Sequence, residues 1–157
     1  MPIEFLKTED LTKDDRQGLY HLWNSEYPAG ISYAALSGFD IYIQGLSQAE
    51  HVLAKDELGN VLGWYVQFVR GGANWFVLII DHKVQHTGLG SKLLKIACKE
   101  GTTLYGWVVD DDDETKLDGT IYQSPLGFYI KNGFELMEER LELETISAVK
   151  IKWEGSK

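Results

Sequence analysis

The stretch VQHTGLGSKLL, residues 84 to 94, brings together residue types that can hold an anion. Gly88 and Gly90 stand two apart, after the apolar run Trp75 to Ile80 and before Leu89, Leu93 and Ile96 at helical spacing. A strand that enters a glycine turn and opens a helix presents free N–H groups, and the helix dipole adds to their pull on negative charge. Glycine also lets a ligand approach the backbone and adopts conformations that a side chain forbids. From His82 to Lys99 there are four lysines and no Asp or Glu, although the whole chain has 24 acidic against 15 basic residues. The stretch therefore reads as a site for a phosphate-sized anion, or else as a tight connection whose glycines serve packing alone.

Two phosphate-binding turns fit poorly. Gly88 and Gly90 match the start of the Gly-x-Gly-x-x-Gly dinucleotide fingerprint, and Asp110 stands where its acidic residue would be, but Leu93 takes the place of the third glycine. Only a short helix and a strand pair are expected after the unit, whereas a dinucleotide fold continues with further strand–helix repeats. No Gly-Lys-Ser/Thr closes the turn, so it is not a P-loop.

The elements around the turn follow from periodicity and punctuation. Residues 2–10 read as a first strand. Residues 12–28 carry Leu19, Leu22 and Trp23 at helical spacing behind Thr12 as N-cap, with Pro28 beyond the end. Residues 29–48 read as a loop around a short helix. Residues 50–69 read as two strands joined by the turn KDELGN. The run Trp75 to Ile80 is apolar at every position, as in a strand covered on both faces. A helix over 88–100, a strand over 102–110, the acidic loop 110–120, a short helix from Pro125 to Asn132-Gly133 and a terminal strand pair complete the chain. Strand, turn, helix and strand from Trp75 to Val109 form a crossover unit, so its two strands are expected to be parallel.

With 157 residues, the sequence suits one domain with a sizeable core. Net charge −9 argues against binding to nucleic acid or an anionic membrane. No apolar run reaches the ~18 residues of a membrane span. The N-terminus, charged at positions 4, 7, 9 and 10, does not look like a secretory signal. The lone Cys98 cannot form an internal disulfide and falls at helical spacing from Leu94, which suits a core position and a reducing, cytoplasmic setting.

The segment VLIIDHKVQHTGLGSKLL resembles the acetyl-CoA motif of the GNAT superfamily of N-acetyltransferases, Gln/Arg-x-x-Gly-x-Gly/Ala, through Gln85, Gly88 and Gly90. A second segment, FYIKNGFE over 128–135, resembles that family's Tyr-x-x-x-Gly-Phe through Tyr129, Gly133 and Phe134. The order of elements agrees along nearly the whole chain. The resemblance implies one domain over 1–157, an α/β fold of α+β type. Its central sheet would be mixed and mostly antiparallel, with a parallel, splayed strand pair and flanking helices.

It further implies acetyl-CoA as cosubstrate and no metal. Amides from Gln85, His86, Thr87, Gly88, Leu89, Gly90 and Ser91 would cradle the pyrophosphate, and the backbone at Ile79, Ile80 and Asp81 would pair with the pantetheine arm. Tyr129 would give a proton to the departing thiolate. The family often has Asn seven residues before this tyrosine; Tyr122 stands there instead, and Ser124 is the expected substitute contact. The base stays open between Asp81, a histidine and a chain of waters. His21, His51, His82 and His86 show no metal-ligand spacing. The run Asp110 to Glu114 reads either as a solvated loop or as a collar that draws a cationic acceptor. The expected activity is direct acetyl transfer to a primary amine of a small molecule or peptide, by a monomer or homodimer. A non-catalytic acyl-CoA sensor or partner module is the alternative.

Overall fold

The computed structural model describes residues 2–155. A sheet of seven strands runs in the order β1-β2-β3-β4-β5-β7-β6. The strands are β1 (Glu4–Thr8), β2 (Ser47–Lys55), β3 (Val61–Arg70), β4 (Ala73–Ile80), β5 (Leu104–Val109), β6 (Glu135–Glu142) and β7 (Ser147–Trp153). The helices are α1 (Lys13–Glu26), α2 (Leu36–Gln44), α3 (Leu89–Cys98) and α4 (Leu126–Lys131). Every neighbouring strand pair is antiparallel except β4 and β5. The expected mixed sheet with one parallel pair is therefore present.

Alternation along β4 divides the core. Phe76 and Leu78 pack with Leu89, Leu93, Leu94 and Ala97 of α3 and with Tyr129 of α4. Trp75 and Ile79 pack on the other face with Leu19, Leu22 and Trp23 of α1 and Phe39 of α2. Side chains two apart on a strand share a face, so an all-apolar strand must be covered twice. Thr12 caps α1 as expected: its Oγ1 accepts from Asp15 N at 3.0 Å while Asp15 Oδ2 accepts from Thr12 N at 3.2 Å. Cys98 is half-buried beside the α3 core, and burial pushes its thiol pKa up, as befits an unreactive packing residue.

The acidic run Asp110 to Glu114 is irregular and partly exposed, and an ordered segment follows it. Thr115 bridges Ile121, Tyr122 N donates to Glu114 O, and Lys116 N donates to Thr120 O, which makes a small hairpin over 114–122. Thr115 O accepts from Ala29 N at 2.7 Å and ties the hairpin to the one-turn 3₁₀ helix Ala29–Ile31 that follows α1. No helix among the described residues is long and apolar enough to cross a membrane.

His51 on β2 shows how the core treats a titratable group. It is 2 % exposed, and its Nδ1 accepts a hydrogen bond from Trp64 Nε1 at 3.1 Å, so the neutral ring is the form that fits. Burial pushes its pKa down to about 4, with the charge of Asp15 opposing weakly. Below the ordinary histidine pKa of about 6.5 the unfolded chain takes up a proton that the folded chain refuses. The contribution is complete above that value and is lost as pH falls toward about 4. Unfolding free energy should therefore drop by up to ~1.4 kcal/mol per pH unit below 6.5 from this group. In urea titrations at pH 7, 6 and 5, His51→Gln should show a shallower slope than the wild type. Equal slopes would remove His51 as the cause.

Candidate active site

β4 and β5 share one registered pair, Trp75 with Tyr105, at their N-terminal ends. Beyond it the strands part. β4 keeps β3 on its other side up to Ile80, and β5 keeps β7 up to Val109. The parted ends open the sheet to both faces. On the α3–α4 face lies a cavity of about 540 Å³, and on the α1–α2 face one of about 520 Å³. Tyr27, Leu78, Tyr122, Pro125 and Tyr129 line both, so the two cavities meet through the opening.

The glycine turn forms the rim of the larger cavity. A 3₁₀ turn over His82–Val84 lowers the chain from β4 into it, capped by Asp81, whose Oδ1 accepts from Lys83 N at 2.8 Å. Gln85 Nε2 then donates to Ile80 O at 3.0 Å and ties the turn back to the strand end. Among the described residues, no backbone N–H from Gln85 through Ser91 donates to a protein acceptor; the first amide of this region to do so is that of Lys92, to Gly88 O. An exposed run of such donors at a helix start calls for water or an anion. Gln85, His86, Gly88, Gly90 and Ser91 line the cavity, as does Lys131 of α4.

The two glycines serve different constraints. Gly88 has φ +88° and nothing within 4 Å of a Cβ placed there, so its requirement is the left-handed backbone. A Cβ on Gly90 would meet Phe128 Cζ at 3.0 Å, so its requirement is close packing of α3 on α4. His86 takes φ +66° without being glycine, at the tip of the turn.

Tyr129 stands where the cavities join. Gly133, at φ +92°, ends α4 and turns the chain so that Phe134 N donates to Tyr129 O at 3.0 Å. The Tyr129 ring is then held at 5.3 to 5.7 Å by Phe76, Phe128 and Phe134. This explains in physical terms the spacing of tyrosine, glycine and phenylalanine. Its hydroxyl makes no hydrogen bond to a described residue, and among the described residues no sealed side-chain polar atom lacks a partner, so the oxygen reaches open space. Burial raises the phenol pKa well above the ordinary range, with Tyr122 adding to the shift.

Other expected site residues divide. Ile79 and Ile80 line the cavity on the free side of β4. Ser124 lines it too, its Oγ accepting from Leu126 N at 3.2 Å. Tyr122 is a wall of both cavities, 6.4 Å from the Tyr27 ring. Thr87, Leu89 and Asp81 are not in the lining. Thr87 turns its hydroxyl to Val84 O, and Leu89 is buried in the core. Asp81 lies outside the lining, with its carboxylate on the 3₁₀ cap and its amide on Leu62 O, so it is poorly placed both as a base and as a partner for an incoming ligand. None of Asp110 to Glu114 lines either cavity. Asp110 makes a two-pronged pair with Arg140 at 2.9 and 3.0 Å, and Asp112 accepts from Ser124 N at 3.0 Å. The collar for a cationic acceptor finds no support in this placement.

Sequence reading passed over Glu26. This carboxylate ends α1, is 4 % exposed, and lies in the lining of the larger cavity. Its Oε2 accepts from His82 N at 3.1 Å, meets His82 Nδ1 at 2.7 Å and accepts from Ser25 Oγ; Lys116 Nζ lies 3.4 Å from Oε1. Burial alone would raise its pKa, but the His82 hydrogen bonds and the charge of Lys116 outweigh this and hold it below the usual carboxylate range. Among the described residues, Glu26, Asp81 and His82 form one group whose ligand-type atoms lie within 4.8 Å of one another, but Lys116 already neutralises the carboxylate a cation would need. Only proximity in the fold reveals Glu26, since it stands 56 positions from His82 and 90 from Lys116.

No family model and no curated protein matches the sequence. Solved structures do match its fold. An aminoglycoside 6'-N-acetyltransferase in complex with coenzyme A superimposes with a TM-score of 0.69 at 14 % identity, over 98 % of this chain and 97 % of that one. The ribosomal-protein-S18-alanine N-acetyltransferase from Escherichia coli gives 0.69 at 14 %, over 98 % and 96 %. A spermidine N-acetyltransferase chimera from Vibrio cholerae and hSSAT gives 0.63 at 15 %, over 97 % and 95 %.

The two glycines can be separated by thermal denaturation. Gly88→Ala should cost ~1–2 kcal/mol through its left-handed backbone. Gly90→Ala should cost a similar ~1–3 kcal/mol through overpacking. Adding Phe128→Leu should recover part of the loss from Gly90→Ala and none of that from Gly88→Ala. Equal recovery of both would show that the two positions share one cause.

Proposed function

The chain has the mixed, splayed sheet of the GNAT fold, and we propose that it works as an acetyl-CoA-dependent N-acetyltransferase, acting by direct transfer on a primary amine of a small molecule or peptide. The observation that carries this reading is the Tyr129 hydroxyl, without a protein partner, at the junction of two cavities that meet through the sheet. A binding module would need one cavity; a two-substrate transfer needs two that share a wall.

The residues fit the cosubstrate. The free amides from Gln85 to Ser91 suit a pyrophosphate, and Lys131 adds a positive charge to the lining of the same cavity. The unpaired edge of β4 along Val77 to Ile80 offers backbone groups to an amide-containing arm in the manner of an added strand. When bound, acetyl-CoA supplies a thioester whose carbonyl carbon accepts the nitrogen lone pair of a neutral amine, with cleavage of the carbon–sulfur bond.

Tyr129 supplies the proton that the departing sulfur needs. Burial keeps the phenol protonated at neutral pH, so it stands ready as a donor rather than as a competing base. The amine's proton leaves by way of Glu26. Its carboxylate stays ionised at neutral pH, lies in the cavity wall, and is linked through His82 to solvent, since the His82 side chain is 56 % exposed. This route replaces Asp81 as the base. It also leaves water free to carry the proton across the gap to the carboxylate.

Three outcomes test the reading. Acetyl-CoA should raise the thermal midpoint in proportion to the logarithm of its concentration, and NADH should not; the reverse pattern would favour a dinucleotide site. Tyr129→Phe should lower turnover ~10- to 1,000-fold with an unchanged acetyl-CoA shift. Glu26→Gln should lower turnover ~10-fold or more at pH 7, and the deficit should shrink at higher pH as the amine becomes neutral unaided. Wild-type turnover in either variant would strip that residue of its role.

A further inference from the structure

The cavity on the α1–α2 face has a composition unlike the rest of the molecule. Its walls include Trp23, Tyr27, Tyr33, Tyr42, Phe68, Trp75 and Trp107. In a chain with net charge −9, no Asp or Glu lines it, and its one charged lining residue is Arg70. Arg70 ends β3, and its guanidinium stands 5.0 Å from the Phe68 ring and 5.8 Å from the Trp75 ring. It has no carboxylate partner and makes no hydrogen bond among the described residues, whereas Arg16 and Arg140 are both paired. The nearby Lys150 is paired with Glu139 and lies outside the lining. Arg70 is exposed, so its donors meet solvent; at the rim of an aromatic cavity they can turn to a carboxylate and grip it with two parallel bonds.

Position along the strand sets the length of the ligand. Arg70 sits over Trp75, and Leu78 lies three residues further along β4, beside Tyr129 at the junction. Three strand residues span about 10 Å. An α-amino acid, with amine and carboxylate on one carbon, is too short to reach both ends. A polyamine is long enough, but its second charge would face Arg70 without any acid to offset it.

We infer that the acceptor is a primary amine carried on an apolar, aromatic-sized body that ends in a carboxylate, and that Arg70 selects it by binding that carboxylate. This rests on the acetyltransferase reading. It departs from the cationic acceptor that the acidic run Asp110 to Glu114 suggested.

The test uses the full chain with 4-(aminomethyl)phenylacetate, its methyl ester, 4-methylbenzylamine, phenylalanine and spermidine, reading thiol release and acetylated product. The wild type should prefer the carboxylate over its ester in kcat/KM by about 10- to 100-fold. Arg70→Ala should abolish that preference while leaving the ester and 4-methylbenzylamine unchanged, and Arg70→Lys should restore part of it. Arg70→Glu should shift preference toward spermidine. Thiol release that is fastest with spermidine, or an Arg70→Ala variant with an undiminished carboxylate preference, would overturn the inference and leave the acetyltransferase reading standing. Absence of both thiol release with every amine and a thermal shift with acetyl-CoA would instead overturn the acetyltransferase reading, and this inference with it.

Discussion

The parting of β4 from β5 after Trp75 and Tyr105 is the constraint on which the rest of this molecule depends. Sheets satisfy backbone groups by pairing every interior strand on both sides, and an unpaired interior edge must find other partners. Here the loss is confined to the C-terminal halves of two strands, each still paired on its outer side. The gap joins the two faces of the sheet, so a ligand on one face can meet a ligand on the other. α3, α4 and the small hairpin at 114–122 then stand around an opening instead of a closed core.

The charges follow the same division. On the α3–α4 face the polar groups in the cavity wall include free amides and Lys131. At the junction the groups are Tyr129 and Tyr122, whose phenols burial keeps protonated, and in the wall of the larger cavity is Glu26, which His82 and Lys116 keep ionised. On the α1–α2 face there are aromatic walls and Arg70. Glu26 is also a structural knot. It gathers the end of α1, the 3₁₀ turn after β4 and the hairpin carrying Lys116 at one point. A buried carboxylate held by several donors is costly to strip of any one of them, so this wall of the larger cavity is held in place by the same bonds that set its charge.

Much of the frame was legible in the chain. Trp75 to Ile80 is apolar at every position because both faces are covered, and that pattern could be read without coordinates. Thr12 announced α1 because a capping box is a local arrangement of residues three apart. Gln85, Gly88 and Gly90 announced the turn, and Tyr129, Gly133 and Phe134 announced the end of α4, because each set acts within a few residues of backbone. What distance in sequence conceals is pairing between segments. β7 inserts between β5 and β6, and nothing local to residues 134 to 154 says so. The acidic run suggested an attracting collar because its charges are adjacent in sequence, yet Arg140 and the Ser124 amide take up two of them.

The sequence by itself determined the order of elements, the glycine turn and the tyrosine, since each is written in short-range spacing that backbone geometry converts directly into shape. Tertiary structure alone decided that Glu26 meets His82, that Tyr122 becomes a shared wall, and that Arg70 stands unpaired over Trp75. Those facts depend on where the sheet opens and on which distant side chains that opening brings within a few ångströms of one another.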